Sequence, residues 1–118
     1  MLYIIGQLKE INIKQDNPTV DVAIKRITYN IRNAKALGFS VVKIIHGYGA
    51  SGKGGAIRIQ AQKYLERQKQ QGHIKEIIKG EEFSIFNDAT IKAFRVCDEL
   101  RHDSDLERYN IGITLVIL

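Results

Sequence analysis

With 118 residues, 44% hydrophobic and 26% charged, the chain suits one domain with a modest core and is no membrane-spanning protein, since no apolar run approaches that length. A net charge of +5 and a pI near 9.4 favour polyanionic partners. One proline and no low-complexity run argue against disordered tails, and the lone Cys97 excludes an internal disulfide. The start, MLYIIGQLKE, lacks the basic region and length of a signal peptide, so a cytoplasmic protein is expected.

In chain order, residues 2–14 (LYIIGQLKEINIK) predict one long or two short strands, with Gly6 as a kink or bulge. Asp16 or Asn17 is placed to cap a helix, with Pro18 in its first turn. Ala23, Ile24, Ile27, Ile31 and Ala34 recur at helical spacing from Val20 until Gly38 stops the run. Val41, Val42, Ile44 and Ile45 form a β-branched strand over 40–46. Five glycines then fall within the nine residues Gly47–Gly55, more than a plain connection needs. Helical spacing resumes through Ile57, Ala61, Tyr64 and Leu65, giving a helix over 55–70 ended by Gly72. Ile74–Ile78 reads as a short strand stopped by Gly80.

Residues 87–100 predict a third helix, capped by Asn87, with Ile91, Phe94, Cys97 and Leu100 on one face. RHDSDLERYN reads as a polar loop or ragged helix end, and His102, Asp103, Ser104 and Asp105 within it as surface residues. Residues 112–118 are continuously apolar, which marks a central strand. The alternation predicts a single α/β domain over 1–118: a two-layer sandwich of β-α-β units with about four strands in a mixed sheet and helices packed on it.

Function is expected at the glycine turn. A strand feeding such a turn at a helix N-terminus forms an anion site, because free N–H groups and the helix dipole point the same way. Charge agrees: Lys53, Arg58, Lys63, Arg67, Lys69, Lys75 and Lys79 are opposed only by Glu66 and Glu76, while Gly80–Asn110 is acidic. Two motifs compete for the turn. Gly47–Gly54, GYGASGKG, matches the phosphate loop G-x-x-x-x-G-K-[ST] except at its last position, where Gly54 replaces the hydroxyl that holds magnesium. A nucleotide-binding domain is therefore the alternative, with a non-catalytic protein-interaction domain beside it.

IIHGYG, a glycine-rich turn and a helix opening AIR resemble the H-G-x-G signature of Smr domains, the small MutS-related domains. The resemblance extends upstream through AKALGFSVVKIIHG and downstream to the closing GITLVIL. It implies a fold like that of the C-terminal domain of bacterial translation initiation factor three, with residues 81–110 as an inserted helix and acidic loop. It also implies DNA or RNA binding, and a nicking or RNA endonuclease activity in some members. His46 is then the candidate catalytic residue. Gly47, Tyr48, Gly49, Ser51, Gly52, Lys53, Gly54 and Arg58 are the candidate nucleic-acid contacts, Lys53 and Arg58 for phosphate and Tyr48 for stacking. No metal or other cofactor is expected.

The family's second motif, L-D-x-H on the first strand, is missing. Ile13, Lys14, Gln15 and Asp16 stand opposite it, and no histidine precedes His46. The endonuclease reading is accordingly left open. For His46 the structural alternative is that it pins the turn through a backbone hydrogen bond. Cys97 is expected in the core and His73 at a helix end near the carbonyl dipole.

Overall fold

The computed structural model describes residues 6–49 and 54–118. The described elements are β1 (Leu8–Asn12), α1 (Val20–Leu37), β2 (Val41–Ile45), α2 (Gly54–Gln70), β3 (Glu76–Lys79), α3 (Asp88–Val96) and β4 (Ile113–Ile117), with short 3₁₀ turns at Gly80–Glu82 and Asp98–His102. The four strands lie in the order β1-β2-β4-β3. β1 runs parallel to β2, and β4 is antiparallel to both neighbours. The four-stranded mixed α/β sheet is thus as expected. The fully buried β4 is central, because only an interior strand must bury both faces.

α1 forms because its apolar residues keep helical spacing: Ala23, Ile27, Ile31 and Ala34 are all buried. Its N-cap differs from expectation. Asp16 and Asn17 adopt left-handed φ values of 64° and 50° in the preceding turn, and Pro18 lies outside the helix. Thr19 is the cap, its Oγ1 accepting the Val22 N–H at 3.3 Å. A two-residue left-handed turn after β1 delays the helix, which is why the first polar candidates do not cap it. Gly38, at φ 86°, closes the helix, and Phe39 N–H donates to Ala34 O.

α2 buries Ile57, Ala61 and Leu65 against the same sheet face, and the Tyr64 hydroxyl meets Thr28 Oγ1 of α1 at 2.6 Å. These residues join Ile11, Ile13, Val42, Ile44 and Val116 in one core. The expected strand over 2–14 is shorter where described: β1 begins at Leu8, Gly6 (φ 69°) is a bend before it, and residues 1–5 lie outside the described residues.

The opposite sheet face carries a second core of Val41, Ile78, Phe83, Phe94, Cys97, Leu100 and Leu115. Helices therefore cover both faces, and the two-layer unit of α1, α2 and sheet gains a third layer. α3 is capped as expected, Asn87 Oδ1 accepting from Thr90 N. It stops at Val96, not at residue 100, because Cys97 turns extended (φ −152°) and a 3₁₀ turn follows. The bend still sends Cys97 and Leu100 inward, whereas Ile91 is 39% exposed and leaves the expected apolar face. Burial, with Glu99 beside it, pushes the Cys97 thiol up to about 11.

The third layer is fastened by charge. Lys43, in the middle of β2, is 4% exposed and points into this layer. Its Nζ lies 2.8 Å from Asp103 Oδ1 and 2.5 Å from Asp105 Oδ2. Burial alone pulls the ammonium down, but the two carboxylates outweigh it and hold Lys43 above its usual 10.5. Asp103 and Asp105 are therefore not free surface residues, which corrects the sequence reading. Residues two apart converge on one ammonium here, because the segment is turn and not helix.

Two substitutions test this architecture by urea unfolding. A Cβ on Gly80 would lie 1.7 Å from the backbone oxygen of Asn110, so Gly80→Ala is expected to remove about 3 kcal/mol, as core overpacking does. Lys43→Met leaves two carboxylates in a nearly dry site and is expected to cost about 3 kcal/mol near neutral pH.

Candidate nucleic-acid interface

The site begins where β2 ends. His46 N–H and Gly47 N–H both donate to one carbonyl, Gly112 O, each at 3.0 Å. Gly112 directly precedes β4, so the two central strands jointly hold the start of the turn. Gly47 (φ 81°) and Gly49 (φ 89°) then take left-handed conformations that β-carbons disfavour. A Cβ on Gly47 would also lie 3.0 Å from Cδ of the exposed Lys14 side chain, which would have to give way. Tyr48 between them is 59% exposed.

The His46 ring is 1% exposed, and both nitrogens are engaged. Nδ1 lies 3.0 Å from Gly47 O and Nε2 lies 2.9 Å from Thr114 Oγ1. A carbonyl oxygen only accepts, so Nδ1 carries the proton and, in the neutral ring, Nε2 accepts from the Thr114 hydroxyl. Burial lowers the imidazole below its usual 6.5, and the Arg58 charge lowers it further against the opposing Gly47 bond. The ring is thus a neutral brace inside the turn, the geometry of the structural alternative weighed from the sequence.

Ala50, Ser51, Gly52 and Lys53 lie outside the described residues. Gly54 opens α2, whose first amides have no partner within the helix. Arg58, one turn in, is half-buried, and its Nε finds no acceptor among the described residues. Glu81 Oε1 is likewise unmatched, and both charges act on His46 without forming a pair with each other. Gln62, a turn beyond Arg58, reaches Thr114 Oγ1 at 3.5 Å.

The basic block is less uniform than its sequence. Lys69 is paired with Glu76 at 2.6 Å, which holds the carboxyl below its usual range despite partial burial. Lys63, Arg67 and Lys75 are exposed, and Arg58 alone of the block's described cations acts on His46. His73 sits just past α2 as expected, its Nδ1 2.8 Å from Gln68 Oε1.

A cavity of about 830 Å³ opens beside the turn. His46, Gly47, Tyr48 and Gly49 line it, and so do residues that sequence reasoning did not assign to the site: Glu10, Asn17, Lys43, Ser104, Asp105, Asn110 and Gly112. Lys14, noted only as a mismatch to L-D-x-H, is in the wall as well. One signal was present: a lysine inside the apolar run VVKII needs a buried counter-charge. Its partners lie sixty positions away in the chain and carry no local pattern. Among the described residues no cluster of three or more metal-ligating side chains occurs, and no helix is long and apolar enough to cross a membrane.

A sheet ending in a glycine turn against a helix N-terminus defines the class, and the comparisons agree. The family model of the Smr domain matches residues 17–82, more than half of the chain, and the chain belongs to that family. The crystal structure of the Smr domain of Thermus thermophilus MutS2 is similar at 21% identity, over 93% of this chain and 96% of that one, with a TM-score of 0.58. That likeness shows the shared fold. No match was found among curated proteins.

The buried neutral His46 has a pH signature. In the unfolded chain it returns to 6.5, so acid protonates the unfolded state first and draws the equilibrium toward it. Stability is full above that value and falls as pH drops toward the lowered folded value. The melting temperature of the parent is expected to fall more steeply between about pH 7 and about pH 5 than that of a His46→Gln variant.

Proposed function

We propose that this Smr domain binds nucleic acid, holding the DNA or RNA backbone at the Gly47–Gly49 turn and the first turn of α2. One observation carries the reading: the start of the turn is braced from inside by His46 and Gly112, and Gly47, Tyr48 and Gly49 line the cavity beside it. Preformed backbone donors at a helix N-terminus favour phosphate. Arg58, with an unmatched Nε, is the phosphate-binding side chain, and Ser51, Gly52, Lys53 and Gly54 complete the contact set. Tyr48 supplies an exposed ring for stacking. The lone, buried Cys97 fits a reducing, cytoplasmic setting.

His46 is assigned a positioning role. A catalytic role would require the ring to leave Thr114 and expose Nε2, and no observation favours that. Lys14 and Asp16 stand where the family's L-D-x-H places its aspartate and histidine, so cleavage is not part of the proposal.

Fluorescence anisotropy with labelled DNA and RNA across a salt series tests the binding. The logarithm of affinity should fall linearly with that of salt concentration. Arg58→Ala should weaken binding about tenfold and reduce the salt slope by about one. Absence of binding to every strand and duplex tried, or affinity indifferent to salt, sinks the proposal.

A further inference from the structure

We infer that the cavity beside the turn receives one unpaired nucleotide, so that the domain prefers single-stranded segments to duplex; this rests on the nucleic-acid reading above and narrows it. A volume of about 830 Å³ lies within the range of small-molecule sites and exceeds what a phosphate alone would occupy. Duplex offers its phosphates outward and keeps its bases stacked, so gripping it needs a basic surface and no recess. Here Gly47, Tyr48 and Gly49 border a recess.

The walls are chemically sorted. The glycine turn and Lys14 form a side suited to phosphate. The side formed by Glu10, Ser104, Asp105 and Asn110 is rich in acceptors and would repel phosphate. Asp105 is already occupied, bonded to Lys43 and to Asn110 Nδ2. Glu10 and Ser104 are exposed and have no side-chain partner among the described residues. They are left to accept from amino, ring N–H or sugar hydroxyl donors, which a base and its sugar carry and a phosphate lacks.

Tyr48 lines the same cavity. A Cβ on Gly112 would come within 3.3 Å of its Cε1, so the glycine lets the ring lie against the backbone while 59% of the residue stays exposed. A tethered aromatic surface at the mouth suits stacking by one base. A base in a duplex cannot reach it without leaving the stack, whereas an unpaired base can.

Ser104 offers a clean test, because it lies in the cavity wall, is exposed, and belongs to neither the turn nor the basic helix. Ser104→Trp fills the recess and Ser104→Ala is its control. Anisotropy is measured with short single strands of DNA and RNA and with a fully paired duplex of the same sequence, at one fixed salt concentration. Single strand is expected to bind about tenfold more tightly than duplex, the scale of one stacked base. Ser104→Trp should abolish that difference with duplex binding unchanged, and Tyr48→Ala should weaken single-strand binding about tenfold through loss of the stacking partner. An RNA strand bound more tightly than the DNA strand supports the proposal and assigns the acceptor wall to the 2′-hydroxyl; equal binding of the two supports it and assigns the wall to the base. Equal affinity for strand and duplex in the parent, or full single-strand affinity in both variants, overturns the nucleotide site and leaves backbone binding standing. Absence of salt-sensitive binding in the parent overturns both.

Discussion

The carbonyl of Gly112 is the point on which the site depends. It accepts from His46 N and Gly47 N together, tying the exit of β2 to the entry of β4. Everything outward of it follows: glycine φ values that reverse the chain, Tyr48 laid across Gly112, and α2 launched over the sheet. The His46 ring repeats the constraint in its side chain by bonding Gly47 O on one side and Thr114 of β4 on the other. A buried polar group is stable only when its bonds are made, so this ring stiffens the turn while it remains neutral.

The two faces of the sheet are stabilised differently. Beneath α1 and α2 the core is aliphatic and built from residues at regular helical and strand spacing. The other face combines an apolar core with the Lys43, Asp103 and Asp105 cluster, which converts an irregular acidic segment into a wall of the cavity. A buried charge set of this kind adds little net stability over an apolar one, yet it admits one arrangement of the segment. That arrangement places Ser104 and Asn110 in the wall of the cavity that the glycine turn also lines.

Charge is divided in the same way. The excess of cations that gives the chain its net +5 is carried partly by α2, where Lys63 and Arg67 face solvent and Arg58 turns toward the turn. The acidic segment is partly spent on Lys43, so the cavity meets both signs. A strand whose phosphate faces the turn and whose base faces the acceptors matches that division.

The sequence by itself determined the elements and the family. Spacing marked α1, α2 and the central β4, and the run IIHGYG with its glycine-rich follow-on marked the turn, because periodicity and glycine chemistry are local and survive without coordinates. Helix ends were less legible: Asp16 and Asn17 resembled caps as well as Thr19 does, and the bend at Cys97 has no residue signature. The cavity was not legible at all. Lys43 announced the need for a buried counter-charge, but Asp103 and Asp105, Thr114 behind His46, and Glu10 beside Lys43 come together only when β1, β2 and β4 are laid side by side. Periodicity records which face a residue takes; pairing across a sheet and the charges that compensate one another in it are set by tertiary packing alone.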